Sequence, residues 1–137
     1  MSDFYDRMAS LYHLIFQDWD ASIERQAGQL VSIIEERWGL GCRTVLDVSC
    51  GIGTQALGLA MRGFTVTASD LSSGAIARAK VESQRRSLQI DFSVCDYLSF
   101  NACTASSLGS ACLDVVSKPS GRDRISRKPA ETLVYIR

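Results

Sequence analysis

Residues 44–54 read TVLDVSCGIGT and carry the pattern from which the fold is predicted. It begins with a short apolar, β-branched run without helical periodicity, which is typical of a strand buried on both faces of a parallel sheet. Asp47 stands at the carboxyl end of this predicted strand, and Gly51 and Gly53 follow in a short loop. The loop leads into a predicted helix, so the stretch indicates a strand, a glycine loop and a helix in that order.

The alternation of strands and helices continues towards the C-terminus. Further elements are predicted as a helix from about Thr54 to Arg62, a strand over 65–69, a helix capped by Ser72 or Ser73, a strand containing Ile90, Phe92 and Val94, and a candidate fourth strand from Leu113 to Val116. This order predicts an α/β fold. We expect a Rossmann-like open, mainly parallel sheet with flanking helices, incomplete at the C-terminal side.

Residues on either side of this core have different patterns. Before it, Asp18 or Asp20 can cap a helix whose apolar positions recur every three or four residues. After it, residues 117–130 are rich in basic residues and contain both prolines, as a solvated linker would. No aromatic residue interleaves these charges, which argues against a nucleic-acid site. The last residues, Thr132 to Ile136, have the composition of one more short strand.

Composition excludes several classes of protein. The 137 residues carry a formal net charge of zero, so no overall field attracts nucleic acid or an anionic membrane. No apolar run approaches the roughly 20 residues that span a bilayer, and the N-terminus lacks the pattern of a signal peptide. We therefore expect a cytoplasmic protein with neither a nucleic acid nor a membrane as partner. The five cysteines form no C-x-x-C pair and His13 is the single histidine, so we predict buried thiols and no metal site.

The glycine loop lies where an open α/β sheet binds its ligands, beyond the carboxyl ends of the strands. Gly51 and Gly53 let the backbone approach a ligand closely, because neither carries a Cβ. The N-terminus of the helix that follows offers unpaired N–H groups to a carboxylate or a phosphate.

Two further acids follow the next strands at the same edge of the predicted sheet. Asp70 ends the second strand and can accept hydrogen bonds from ribose hydroxyls. Leu71 comes next and can lie against the flat face of a purine. Asp96 ends the third strand and can accept a hydrogen bond from an exocyclic amino group. Three acids at successive strand ends, together with the glycines, predict a nucleoside-type ligand.

A dinucleotide is the alternative ligand, because residues 51–56 read GIGTQA and match the G-x-G-x-x-A fingerprint. Two features argue against it. Asp47 precedes Gly51 by four residues and would repel a pyrophosphate, whereas it suits a ligand that carries an ammonium and a sulfonium. The helical segment before the first strand suits a pocket that must be covered.

With these residues, the chain resembles the class I S-adenosylmethionine-dependent methyltransferases. Residues 45–53 are similar to motif I of that family, and Asp70 is similar to its ribose-binding acid. The N-terminal text from Phe4 to Asp20, with FYD, LYHLIF and DWD, looks like the small-molecule branch that includes glycine and sarcosine N-methyltransferases. The resemblance covers residues 3–97 and extends to 113–116.

The resemblance implies roles for individual residues. Asp47 and the backbone from Gly51 to Gly53 would hold the methionine part of S-adenosyl-L-methionine, Asp70 the ribose, and Asp96 the adenine amino group between Leu71 and Tyr97. Tyr12 and Trp19 are candidates for a lid over the cofactor, with packing in the core as the alternative role. Ser49 stands where many members have glycine or alanine, and it is small enough to leave the pocket intact.

The resemblance also divides the chain into three parts: an N-terminal helical lid segment at 1–40, an S-adenosylmethionine-binding α/β core at 41–116 and an atypical basic tail at 117–137. Family members continue past the fourth strand with an acceptor-binding segment, so we expect the C-terminal part to be missing or replaced, and no catalytic residue is assigned.

The implied function is transfer of a methyl group to a small-molecule acceptor, expected to be an amine. The alternatives are a truncated non-catalytic remnant that binds S-adenosylmethionine, S-adenosylhomocysteine or a partner, and an NAD-type oxidoreductase domain.

Overall fold

The computed structural model of the chain describes residues 2–9, 11–95, 112–116 and 132–136. The elements are α1 (Ser2–Met8), a 3₁₀ helix (Tyr12–Ile15), α2 (Trp19–Trp38), β1 (Thr44–Asp47), α3 (Thr54–Met61), β2 (Thr65–Asp70), α4 (Ser73–Arg85), β3 (Ile90–Val94), β4 (Cys112–Val116) and β5 (Thr132–Ile136). In the described part of the chain, no helix combines the length and the apolar character that a bilayer span requires.

The described strands form one five-stranded sheet in the order β3-β2-β1-β5-β4, and every pairing among them is parallel. The predicted α/β fold with a parallel sheet and flanking helices is therefore confirmed. The register pairs Asp47 with Ala68 and Asp70 with Val94. The carboxyl ends of β1, β2 and β3 consequently meet at one edge of the sheet.

The strand next to β1 on its other side is β5. Thr44 pairs with Leu133, and Cys112 at the start of β4 pairs with Thr132. The last predicted strand, β5, is thus present in the structure and pairs with β4, which contains residues 113–116. In addition β5 separates β4 from β1, so a strand from the segment predicted as a tail belongs to the sheet.

Helices α3 and α4 cover the same face of the sheet, because each belongs to a right-handed crossover that moves one strand outward from β1. Helix α2 packs against α3. The buried core between helices and sheet consists of Ile34, Cys42, Val45, Cys50, Ala56, Leu59, Phe64, Val66, Ala68 and Ile76. This core anchors the loop after β1, because Cys50 in that loop is one of its members.

Side-chain caps decide where two helices begin. Asp18 caps α2 by accepting a hydrogen bond from the Ala21 N–H at 3.0 Å. Ser72 caps α4 in the same way with the Ala75 N–H at 3.1 Å. These are two of the candidate caps read from the sequence, and a side-chain oxygen that satisfies a free N–H at a helix start is worth about 1 kcal/mol.

Gly58 is the point of closest approach between α2 and α3. A Cβ at Gly58 would lie 2.7 Å from the Ala27 Cβ and 2.8 Å from the Ile23 carbonyl oxygen. We expect Gly58→Ala to lower the free energy of unfolding by about 1–3 kcal/mol, because the two helices would have to move apart. Urea unfolding of the purified chain measures this change.

The matched control is Gly28→Ala in the interior of α2. A Cβ at Gly28 would meet only the Arg62 guanidinium, at 3.6 Å. Alanine favours the helix by up to about 1 kcal/mol over glycine, so this variant is expected to be more stable than wild type. A loss of stability at Gly28 equal to that at Gly58 would contradict the packing argument.

Candidate functional site

The most unusual group at the carboxyl edge of the sheet is Asp47, the last residue of β1, which is only 2% exposed. Its Oδ1 accepts a hydrogen bond from the Ser49 N–H at 3.3 Å. Its Oδ2 has no hydrogen-bond partner among the residues that the structure describes. Burial, with the nearby charge of Asp70, raises the pKa of Asp47 to about 7, although the Ser49 N–H acts in the opposite direction. A cation beside Oδ2 would stabilise the ionised carboxylate.

The two glycines of the loop after β1 have different surroundings. Gly51 has a φ of +54°, and a Cβ there would meet no described atom within 4 Å, so its backbone has an open side. Gly53 has a φ of +93°, and a Cβ there would lie 3.3 Å from the Ala79 Cβ and 3.4 Å from the Leu57 Cγ. Gly53 is therefore needed for its backbone conformation and for packing against α4, whereas Gly51 leaves room for a ligand.

Asp70 at the end of β2 ties two loops together. Its Oδ2 accepts a hydrogen bond from the Gly51 N–H at 2.8 Å, and its Oδ1 accepts one from the Ser72 N–H at 2.9 Å. A carboxylate has about four acceptor positions, so each oxygen can accept one more hydrogen bond. Leu71 follows at the same rim with 57% of its surface exposed, which leaves an apolar side chain beside the acid.

Trp19 joins the N-terminal segment to this edge. Its indole Nε1 donates a hydrogen bond to Oγ1 of Thr54, the first residue of α3, at 2.9 Å. Trp19 is half-buried, and the His13 ring lies 6.4 Å from its own ring. The indole therefore lies against the start of α3, beside Gly53. Both roles inferred from the sequence, a lid over the cofactor and packing, are compatible with this position.

Asp6 in α1 is a residue that the sequence analysis missed. Its Oδ1 accepts hydrogen bonds from the Ser72 hydroxyl and from the Gly74 N–H, the latter at 2.8 Å. These two donors lower the pKa of Asp6. The contact fastens α1 to the start of α4, directly after Asp70. No local pattern could have revealed it, because its partners lie far along the chain.

The structure brings together most of the predicted cofactor residues that it describes. Asp47, Ser49, Gly51, Gly53, Asp70 and Leu71 lie at the carboxyl edge, and Trp19 lies beside them. Tyr12 belongs to the 3₁₀ helix, but its side chain is outside the described part of the structure. Asp96 and Tyr97 also lie outside the described residues.

The remaining reactive side chains are potential metal ligands and cysteine thiols. Within residues 2–9, 11–95, 112–116 and 132–136, no group of three or more His, Cys, Asp or Glu side chains could hold a metal ion. Cys42, Cys50 and Cys95 are buried, as predicted for thiols in the core. Burial and the neighbouring carboxylates raise the pKa of Cys50, so this thiol in the glycine loop stays protonated and is a poor nucleophile.

An open acceptor on a buried acid, an accessible glycine backbone and a second acid with free acceptor positions lie at the carboxyl edge of this parallel α/β sheet. A family model described as a methyltransferase domain matches residues 45–119. The chain belongs to this family, and the prediction of a class I S-adenosylmethionine-dependent methyltransferase is confirmed. S-adenosyl-L-methionine is the cofactor of that class.

Individual relatives support the same assignment. The glycine/sarcosine N-methyltransferase of Parasynechococcus marenigrum (strain WH8102) is 31% identical over 101 residues, which cover 74% of this chain and 33% of the relative. The ubiquinone biosynthesis O-methyltransferase of Pseudomonas paraeruginosa (strain DSM 24068 / PA7) is 37% identical over 62 residues, which cover 45% of this chain and 27% of the relative.

A solved structure from Methanococcus maripaludis, described as an S-adenosyl-L-methionine-dependent methyltransferase, shares the fold. Its TM-score is 0.54 at 22% identity, over 66% of this chain and 42% of that one. The chain spans between 21% and 33% of the length of the first curated relatives that it matches.

Proposed function

We propose that this chain binds S-adenosylmethionine and S-adenosylhomocysteine at the carboxyl edge of β1 and β2, and that it serves transfer of a methyl group to a small amine. The observation that carries the proposal is the Oδ2 atom of Asp47. It is buried and has no hydrogen-bond partner among the described residues, and Gly51 in the loop after β1 has an open side. A buried acceptor of this kind needs a partner, and an ammonium group is the partner that keeps it ionised.

Four described residues at the edge have a role in this proposal. Asp47 accepts a hydrogen bond from the cofactor ammonium, and the backbone of Gly51 lies along the methionine part. Asp70 accepts hydrogen bonds from the ribose hydroxyls with its two remaining acceptor positions, while the Gly51 and Ser72 N–H groups hold the carboxylate in place. Leu71 lies against the adenine. The roles of Asp96, Tyr97 and Tyr12 stay predictions from the resemblance.

The reaction needs little chemistry from the protein. When bound, S-adenosylmethionine would supply a methyl group to a neutral amine: the C–N bond would form as the bond between the methyl carbon and the positively charged sulfur breaks, and S-adenosylhomocysteine would be the leaving group. The chain would then act by orienting the cofactor and by keeping water out, and Trp19, which is hydrogen-bonded to Thr54 at the start of α3, is the residue that we assign to covering the cofactor. A neutral amine needs no catalytic base, and we assign none.

An amine is favoured over an oxygen acceptor by the extent of the likeness to relatives. The identity to the N-methyltransferase extends over 101 residues, and the identity to the O-methyltransferase over 62. The alignment with the N-methyltransferase is longer than the segment that holds the glycine loop and the strands on either side of it. This supports glycine-like amines as the first acceptors to test.

The experiment is transfer of a labelled methyl group from S-adenosylmethionine to glycine, sarcosine and a catechol, with Asp70→Ala as the control. We expect label in an amine product with wild type and none with the variant. Label in the catechol alone would show that the acceptor atom is an oxygen and not an amine nitrogen. Cofactor binding without label in any acceptor would contradict the methyl transfer and favour a non-catalytic binding protein.

A further inference from the structure

Arg86, the residue that caps the C-terminal end of α4, joins this end of α4 to the first turn of α2. Its Nη1 donates a hydrogen bond to Glu82 in α4, and its Nη2 donates one to Asp20 in the first turn of α2. Its guanidinium carbon lies 5.4 Å from the centre of the Trp19 ring. The Arg86 side chain is 21% exposed and that of Glu82 is 2% exposed, so their contact is largely shielded from water, whereas the Asp20 side chain is 79% exposed.

Glu82 fixes the position of Arg86. Its side chain is 2% exposed and its carboxylate also contacts Arg78 at 3.0 Å and Arg85 at 3.2 Å. Burial raises the pKa of Glu82, but the hydrogen bond from Arg86 and the charges of the three arginines outweigh burial, so the pKa lies below its ordinary value. The carboxylate therefore stays ionised near neutral pH and keeps the Arg86 guanidinium oriented.

Trp19 is consequently held from two sides. The Thr54 hydroxyl accepts its indole N–H at the start of α3, and the Arg86 guanidinium lies over its ring. At the other end of the N-terminal segment, Asp6 is bound to the start of α4. Asp6 and Trp19 therefore contact the starts of α4 and α3, which follow Asp70 and the loop of Gly51 in the chain.

We propose that Arg86 is a positioning residue for cofactor binding. It holds Trp19 against the start of α3, and through Trp19 it holds the N-terminal segment beside the cofactor site. The inference rests on the proposed function, because it requires that the site between these two loops binds the cofactor. Arg86 itself does not touch the site.

Arg85 provides a matched control within the same cluster. Both arginines contact Glu82, but only Arg86 reaches Asp20 and Trp19. The Arg85 side chain is 69% exposed, so its removal costs little packing. The two residues thus separate a general effect of losing a positive charge beside Glu82 from a specific effect on Trp19.

The test uses the full chain with Trp38→Phe, which leaves Trp19 as the single tryptophan. S-adenosylhomocysteine is titrated by calorimetry, and Trp19 emission is recorded with and without it. Arg86→Met is expected to weaken binding by about tenfold and to shift the emission to longer wavelength, because an aromatic ring that loses its cation contact and its anchor becomes more exposed. Arg85→Met is expected to change affinity by less than about twofold, because the Arg85 side chain is 69% exposed and its described contacts do not include Asp20 or Trp19.

Arg86→Lys is expected to restore part of the affinity, because lysine keeps the charge but lacks the planar fork that contacts Glu82 and Asp20 together. Equal affinity and equal emission in Arg86→Met and Arg85→Met would overturn the proposal, provided that wild type binds. Absence of binding in wild type would instead remove the proposed function, and the emission spectra alone would still show whether Arg86 holds Trp19.

Asp20→Asn covers the case in which Arg86→Met does not fold. Asp20 is 79% exposed and its replacement leaves the contact between Arg86 and Glu82 in place. We expect binding to weaken by about threefold, in the same direction as for Arg86→Met. Unchanged affinity and emission in Asp20→Asn, with Arg86→Met unfolded, would count against the positioning role.

Discussion

Replacement of Asp70 by alanine is expected to weaken S-adenosylhomocysteine binding by about a hundredfold or more. The carboxylate would accept two ribose hydrogen bonds, and hydrogen bonds to a charged group are worth about 1.5–3 kcal/mol each. The same change removes the acceptor for the Gly51 and Ser72 N–H groups, so both loops lose an anchor. Calorimetric titration of the two proteins measures the difference.

Two further variants show whether the loss of S-adenosylhomocysteine affinity in Asp70→Ala is caused by loss of the ribose contact. Asp91→Ala removes an exposed acid from β3, the neighbouring strand, and is expected to leave the affinity within about twofold of wild type. Asp70→Asn keeps one side-chain oxygen and should bind with intermediate affinity. Wild-type affinity in Asp70→Ala, with the folded state intact by thermal unfolding, would show that the ribose site is assigned to the wrong acid.

Binding of S-adenosylhomocysteine is also expected to weaken by about tenfold for each pH unit below about 7, over the range in which the chain stays folded. The cause is Asp47, whose pKa is raised to about 7 by burial and by the charge of Asp70. Below that pH the carboxyl is protonated and neutral, and it can no longer pair with the cofactor ammonium. Titrations at pH 5, 6 and 7 measure the slope.

The same group makes stability depend on pH in a defined direction. In the unfolded chain the carboxyl has its ordinary pKa of 3.8, so between about pH 4 and pH 7 the folded state holds a proton that the unfolded state has released. Stability therefore falls as pH rises through this window and is constant with respect to Asp47 above it. The raised pKa of Asp47 corresponds to a decrease in the free energy of unfolding on the order of 4 kcal/mol between about pH 4 and pH 7.

Asp47→Asn isolates both effects. It cannot ionise, so its unfolding free energy should lack the decrease between about pH 4 and pH 7, and its weak binding should not vary with pH in that range. Urea unfolding and calorimetry at matched pH values compare it with wild type. A wild-type profile that parallels the variant's would contradict the raised pKa and the pairing with an ammonium.

The central part of the fold could be predicted from sequence because its signals are local. The apolar run at 44–48, the glycine loop and the cap at Ser72 each use neighbouring residues, and the observed β1, α3 and α4 begin where these signals place them. The order of the strands was not predictable in the same way. Placement of β5 between β1 and β4 depends on pairing between residues far apart in the chain.

The residues of the candidate site fall into the same two groups: some follow from local sequence signals, and others depend on contacts between distant parts of the chain. Asp47 and Asp70 were found because they end predicted strands, and Gly51 because it follows the first strand at a fixed distance. The contacts of Asp6 with Gly74 and of Arg86 with Trp19 join helices that no periodicity relates. The raised pKa of Asp47 could not be predicted either, because it depends on how completely the surrounding core excludes water.

In the proposed function, the carboxyl edge of the sheet binds S-adenosylmethionine rather than a dinucleotide. The most direct measurement is calorimetric titration of the wild-type chain at pH 7.5 with S-adenosylhomocysteine and, in parallel, with NAD. We predict saturable binding of S-adenosylhomocysteine and no measurable binding of NAD, because ionised Asp47 attracts an ammonium and repels a pyrophosphate. Binding of NAD as tight as that of S-adenosylhomocysteine, or no binding of S-adenosylhomocysteine, would contradict this account.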